Sequence, residues 1–299
     1  MSIAGGYYKA VEAAAEHGCD CVQLFTKNNN QWRAKPMTDE DGRRFRRALR
    51  RLGIKSPLAH ASYLINLATP DDRLWRRSID AMIEELQRAA LLGIPYVVVH
   101  PGSYTTSSEE QGLRRIAQAL DRIHRQTPQL KTRVALETTA GQGSNLGWRL
   151  EHLAWVLRHV EQPQRLAFCL DTCHLFAAGY PLAPAAEYEG TMKQIDRLLG
   201  RRRVKAIHLN DSKGPRGSRL DRHMNIGYGH VSLEGFRLLL NDPRWQRTPM
   251  YLETPKGIDP VTGLSWDMRN LALLRALVGK RRVPPQVRRK FFPAEAAGR

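Results

Sequence analysis

Seven short apolar runs rich in β-branched residues recur along the chain, each followed by a longer stretch of helical periodicity. They are 20–25 (DCVQLF), 54–60 (IKSPLAH), 95–100 (PYVVVH), 133–137 (RVALE), 165–171 (RLAFCLD), 204–209 (VKAIHL) and 249–253 (PMYLE). Six of them finish on a residue that binds metals or moves protons: His60, His100, Glu137, Asp171, His208 one place before its run ends, and Glu253. These residues arrive at intervals of roughly 35 to 45 positions, about the length of one βα unit. Strand then helix, in series, predicts a parallel sheet. In a (β/α)8 barrel the C-terminal ends of all strands open on one face, where catalytic residues collect. The expected fold is therefore an α/β TIM (β/α)8 barrel whose mouth gathers ligand-type side chains from distant parts of the chain. Helices are expected at about 5–17, 38–52, 71–93, 107–126, 148–160, 184–200, 232–241 and 263–278, several opened by Asp, Ser or Thr caps.

Any one of these polar residues alone would be a side chain facing a loop. Six in register are different, because carboxylates and imidazoles buried together are costly unless a cation holds them. Two further pairs thicken the set. His174 follows the strand-end Asp171 by three residues, and Asp221 and His223 share one side of an extended segment. Five histidines (60, 100, 174, 208, 223) and four carboxylates (137, 171, 221, 253) form a hard-to-borderline donor set suited to Zn²⁺, with Mn²⁺ or Fe²⁺ as substitutes. Nine ligands are too many for one tetrahedral ion.

Composition narrows the partners. The 299 residues, 42% hydrophobic and 25% charged, suit one globular domain with a substantial core. No apolar run approaches the ~20 residues needed to span a bilayer. The N-terminus lacks the pattern of a secretory signal, so a cytoplasmic location is expected, nucleoid-associated in a bacterium. Forty-seven basic against 29 acidic side chains give +18. That balance attracts polyanions, nucleic acid first, although an Arg-rich solvated surface would give the same number. Cys19, Cys21, Cys169 and Cys173 have neither CxxC nor zinc-ribbon spacing and read as buried free thiols. The segment GQGSNLG (141–147) lacks dinucleotide-loop spacing and reads as a tight turn beneath the metals. His152 and His159 read as surface residues, and GRRFRRALRR (42–51) as a solvated outer helix.

The combination of motifs resembles the endonuclease IV family of metal-dependent apurinic/apyrimidinic endonucleases. It is carried by FTKNNNQWR (25–33), HASYLINLATP (60–70), HPGS (100–103), ETTAGQGSNLG (137–147), CLDTCHLFAAGYPL (169–182), HLNDSK (208–213), GSRLDRH (217–223), NIGYGH (225–230) and LETP (252–255), in the family's order. The resemblance implies a TIM barrel with three zinc ions: His60, His100 and Glu137 on the first, Glu137, Asp171, His208 and Glu253 on the second, His174, Asp221 and His223 on the third. Glu137 and Glu253 would be the catalytic carboxylates. The implied reaction is hydrolysis of the phosphodiester 5′ to an abasic site in double-stranded DNA, leaving a 3′-hydroxyl and a 5′-deoxyribose phosphate, with trimming of blocked 3′ ends. Close divalent ions suit that chemistry, since they activate and orient water and stabilise the leaving oxygen. Tyr63 and Leu64 resemble the family's wedge into the base stack. Gln31 and Trp32 would sit in a second recognition loop, where Asn30 stands in a place relatives often fill with Arg. Lys213, Arg216, Arg219 and Arg222 would neutralise phosphates.

Against the family pattern, Ser2 to Gly6 aligns with the turn after a first strand, so only seven of eight strands are expected here. Completion of the barrel by residues upstream of Met1, with reduced stability of the 299-residue form, is the corresponding expectation. Residues 1–279 would form a single barrel domain, and residues 280–299 read as a basic, flexible tail that adds nonspecific DNA affinity. A monomer is expected. Two rival readings share the barrel: a single-metal sugar isomerase or epimerase using Glu137, Asp171, His208 and Glu253, and a DNA-binding barrel with impaired catalysis. The first leaves the remaining ligands and the +18 charge without a role.

Overall fold

The structure is a computed structural model and describes residues 1–293. Seven parallel strands form one sheet in the order β1 (Cys21–Phe25), β2 (Lys55–His60), β3 (Tyr96–Val99), β4 (Arg133–Glu137), β5 (Leu166–Asp171), β6 (Val204–His208) and β9 (Met250–Tyr251). A small antiparallel hairpin, β7 (Asp211–Ser212) with β8 (His223–Met224), follows β6 at the mouth. The helices are α1 (Tyr7–Glu16), α2 (Asp39–Leu52), α3 (Asp72–Leu92), α4 (Glu109–Gln126), α5 (Leu150–His159), α6 (Thr172–Ala177), α7 (Ala185–Leu199), α8 (Leu233–Leu240), α9 (Trp266–Leu277) and α10 (Pro285–Phe291). The barrel is one strand short: among the described residues no ladder joins β1 to β9, and a cavity of about 100 Å³ lined by Cys21, Gln23, Met250 and Tyr251 separates them. No described helix is long and apolar enough to cross a membrane.

Local chemistry sets the helix boundaries. Thr38 and Asp41 form a reciprocal capping box at the start of α2, and Gly53, at φ 68°, closes it in the left-handed conformation. Helix α2 buries Gly42, Phe45 and Ala48 and turns its arginines outward, as its sequence pattern implies. The core has two parts. Outward-facing strand residues such as Val97, Leu136, Phe168 and Ile207 pack under the helices, while Leu58, Val98, Ala135, Ala167, Cys169, Ala206 and Tyr251 fill the barrel interior.

Four expectations need correction. The tail is not without structure, because α10 buries Val287, Phe291 and the following Phe292; residues 294–299 lie outside the described residues. His152 is buried rather than on the surface, with Nδ1 accepting the Gly147 N–H at 3.2 Å and Nε2 3.2 Å from a Glu109 carboxylate oxygen. Its exposed counterpart His159 agrees with the expectation. Cys19 and Cys21 are half-buried, whereas Cys169 and Cys173 are buried. The last run pairs only over Met250–Tyr251, so Glu253 lies beyond its strand, where its N–H donates to Asn210 Oδ1 at 2.8 Å.

Candidate metal centre

Side chains alternate across a strand, so each inward residue of the interior layer is followed two positions later by another facing the barrel mouth. Leu58 leads to His60, Val98 to His100, Ala135 to Glu137, Cys169 to Asp171, Ala206 to His208 and Tyr251 to Glu253. Pairing sets Asp171 opposite His208, whereas His60 stands opposite Val98 and Glu137 opposite Cys169, so the ligand ring steps by two residues between some neighbouring strands. By the same parity Cys21 leads to Gln23, which completes the ring from β1.

Glu137 lies at the centre, fully buried. Its Oε2 is 3.2 Å from His60 Nε2 and 3.3 Å from His100 Nε2, while Oε1 is 2.8 Å from His208 Nδ1. Three donor groups converge, each with ligand atoms within 4.8 Å of one another: His60, His100 and Glu137; Glu137, Asp171, His208 and Glu253; Asp171, His174 and His223. Asp221 Oδ1 adds to the last, 3.1 Å from His174 Nε2 and 3.8 Å from His223 Nε2.

The imidazole hydrogen bonds show what these groups fit. His60 donates Nδ1–H to the Ala61 carbonyl at 2.8 Å, His174 to Thr138 at 2.8 Å and His223 to Glu253 at 3.1 Å. Each therefore presents an Nε2 lone pair to the cluster, the arrangement typical of histidines that hold metals. His174 Nε2 and His223 Nε2 face each other at 3.4 Å with carboxylates of Asp171 and Asp221 alongside. Lone pairs and carboxylate oxygens aimed at one point require positive charge there, so the residues fit a divalent cation. Protons compete with a cation for the same positions. Burial favours neutral imidazole, yet neighbouring carboxylates hold His60, His174 and His208 above the ordinary imidazole range. Burial opposes ionisation of Glu137, Glu253 and Asp221, but the surrounding imidazoles hold all three below the usual carboxylate range. Cys169 also approaches Glu137 and His208, but burial pushes its thiol up to about 12, so it is a protonated neighbour rather than a thiolate ligand.

Several positioning residues escaped the sequence reading. Gln23 donates to Glu253 Oε1 at 2.5 Å and accepts from His208 Nε2–H at 2.7 Å, fixing both rotamers. Asn210 donates to Asp171 Oδ2 at 2.6 Å. Thr138 Oγ1 accepts the Asp171 N–H at 2.9 Å, and the Thr172 hydroxyl donates to the Asn210 carbonyl at 2.7 Å.

Above the cluster opens a cavity of about 640 Å³ lined by Tyr63, His100, His174, Asp221, His223 and Glu253. Tyr63 is 53% exposed, and its ring leans on Phe25 and His60 at 5.4 and 5.3 Å; Leu64 beside it is half-buried. Gln31 is exposed, and Trp32 is half-buried beneath the Arg77 guanidinium at 4.3 Å. The basic loop is exposed, but its cations differ. Arg216 pairs with Glu187 at 2.8 Å, Arg219 stacks on Trp148 at 3.9 Å, and Arg222 donates to the Asp221 carbonyl at 2.9 Å. Lys213 forms no ion pair among the described residues.

Fold and site together define a TIM barrel of the xylose isomerase-like class, whose family profile matches residues 11–274. Within that class the chain belongs to the endonuclease IV family. It is 48% identical over 278 residues to the probable endonuclease 4 of Chloroflexus aurantiacus, covering 93% of this chain and 96% of that one. The probable endonuclease 4 of Trichlorobacter lovleyi is 47% identical over 277 residues, covering 93% and 97%. The crystal structure of endonuclease IV from Thermus thermophilus superposes with a TM-score of 0.81 at 36% identity, covering 93% of this chain and 96% of that one. A D-tagatose 3-epimerase-like protein, 17% identical with a TM-score of 0.68 and coverage of 89% and 91%, shares the fold. Helix α10 lies beyond the segment matched by the family profile.

Proposed function

We propose that this protein is a DNA-repair endonuclease that hydrolyses the phosphodiester 5′ to an abasic site and trims blocked 3′ ends, using three zinc ions. The observation that carries this reading is the convergence of three donor groups through the shared carboxylates Glu137 and Asp171. His60, His100 and Glu137 would hold one ion, Glu137, Asp171, His208 and Glu253 a second, and His174, Asp221 and His223 a third. When bound, such ions supply Lewis-acid activation of water and neutralise charge on a phosphate.

The chain's own residues do the rest. Glu137, gripped by imidazoles on both oxygens, fixes the spacing of the first two groups. Glu253 Oε1 is held by Gln23 and Oε2 lies 3.2 Å from His208 Nδ1, which orients the carboxylate toward the second group. In the overall reaction the water oxygen bonds to phosphorus and the P–O3′ bond breaks. The departing oxygen takes a proton to become the 3′-hydroxyl, and the phosphate stays on the deoxyribose fragment. Tyr63 and Leu64 would enter the stack where a base is missing, with Gln31 and Trp32 on the second recognition loop. Lys213, Arg216, Arg219 and Arg222 would meet backbone phosphates, which position the duplex without reading its sequence. The protein would act as a monomer in the cytoplasm.

A single-metal sugar epimerase would use only Glu137, Asp171, His208 and Glu253, leaving the facing His174 and His223 without a task. Zinc per chain, measured by elemental analysis beside nicking of abasic duplex, separates the readings. Three ions with nicking are expected; one ion without nicking would favour the epimerase, and three ions without nicking an impaired DNA-binding barrel.

A further inference from the structure

The segment after the ligand His223 is held from two sides. On one side, the Asp211 carboxylate accepts backbone N–H groups from Gly227 at 2.8 Å, Gly229 at 3.1 Å and Val231 at 2.8 Å. On the other, α9 presents Arg269 and Asn270, both fully buried. Asn270 accepts the Ile226 N–H at 3.2 Å and donates to Asn225 Oδ1 at 2.8 Å and Thr254 Oγ1 at 3.0 Å. Arg269 Nη1 donates to the Ile226 carbonyl at 2.5 Å, and Nη2 donates to the Phe291 carbonyl at the end of α10, at 3.3 Å. One guanidinium thus ties the ligand-bearing loop to the C-terminal helix.

Aromatic packing makes the same connection. The Arg269 guanidinium lies 4.8 Å from the Tyr228 ring and 4.7 Å from the Phe292 ring, and those two rings are 5.4 Å apart. Gly227 sits at φ 86°, and a Cβ there would come within 2.3 Å of Phe292 Cζ. The ring is therefore flush against the loop backbone, four residues from His223. Buried cation–π and hydrogen-bonded contacts of this kind fix backbone position, and the buried Asp259 carboxylate, 3.9 Å from Arg269 Nε, anchors the guanidinium further.

We propose that Arg269 and Phe292 are positioning residues for the His223 side of the cluster. Helix α10, which lies outside the family-matched segment, holds His223 Nε2 in place against His174 and Asp221 through them. Retention of the ion at that group then depends on the C-terminal helix. This inference rests on the metal reading above.

The test uses the full chain loaded with zinc, with Phe292→Ala and Arg269→Lys as variants; lysine keeps the charge but cannot reach both carbonyls with a planar fork. Val156→Ala, buried in α5, serves as a control for general loss of stability. Zinc release to a chromophoric chelator is followed together with melting temperature. One equivalent is expected to leave about 10-fold faster in both variants, the range typical of lost support around a ligand, while the other equivalents keep the wild-type rate. The control should melt lower yet release zinc like the wild type. Release from the variants at the wild-type rate, or equal acceleration of every equivalent, overturns the inference. A wild-type chain that retains no zinc overturns the metal reading itself, and if Phe292→Ala does not fold, Arg269→Lys decides.

Discussion

Replacing Tyr63 by alanine isolates the proposed wedge. Tyr63 remains 53% exposed even though Phe25 and His60 support its ring. Half of a tyrosine's ~200 Å² is about 100 Å², and covering it at ~25 cal/mol per Å² gives about 2.5 kcal/mol, or about 70-fold in Kd. A gap in the stack offers that contact directly. An intact duplex must first be unstacked, which costs a few kcal/mol and cancels the gain. Tyr63→Ala should therefore weaken binding to a duplex with one abasic site by about 70-fold and to the intact duplex by less than about 3-fold at the same salt concentration. Fluorescence anisotropy on the two duplexes gives both constants. Zinc content must be measured in parallel, since the Tyr63 ring also neighbours His100 at 6.1 Å. Equal weakening on both duplexes, at unchanged zinc content, would refute the wedge and make Tyr63 an ordinary backbone contact.

Three further outcomes follow from the packing. His124 is 1% exposed, neither ring nitrogen has a partner among the described residues, and burial followed by repulsion from Arg165 lowers it from 6.5 to about 4. Its neutral form is the folded one, so its contribution is intact above pH 6.5 and is lost as pH falls toward 4; the loss is about 3 kcal/mol, read by urea unfolding as the difference from His124→Leu. Gly42→Ala should lower stability by about 1–3 kcal/mol despite alanine's better helix propensity. The added Cβ would lie 2.5 Å from the Leu91 carbonyl oxygen, and a raised melting temperature would contradict this. Removal of metal by a chelator should lower the melting temperature by about 10 °C, because binding at ~1,000 times Kd contributes about 4 kcal/mol. An unchanged melting curve would show that no ion supports the fold.

The barrel and its ligand ring were legible because one parity rule governs both. An apolar inward residue and a polar one two places later appear in the sequence as a run ending on His, Asp or Glu. Gln23 was missed because its run continues to Phe25, so the polar inward residue is not the terminal one. Asn210 and the threonines act through hydrogen bonds between neighbouring strands, a relation that strand spacing does not encode. His152 lies on a helical stretch far from any strand end, which suggested solvent, but its ring turns toward Gly147 and Glu109. Helix α10 was hidden by its prolines: Pro285 stands at its first turn, where a missing N–H costs nothing, and its last carbonyl is bonded by the distant Arg269.

The central claim is that Glu137 joins two metal groups into one centre for phosphodiester hydrolysis. Its most direct test is single-turnover nicking of a duplex with one abasic site by the zinc-loaded wild type and Glu137→Ala, with both new ends identified. The wild type is expected to leave a 3′-hydroxyl and a 5′-deoxyribose phosphate, and Glu137→Ala to be slower by about 10³-fold or more while remaining folded. Near-normal nicking by Glu137→Ala with its full zinc content, or no nicking by the fully loaded wild type, would contradict it.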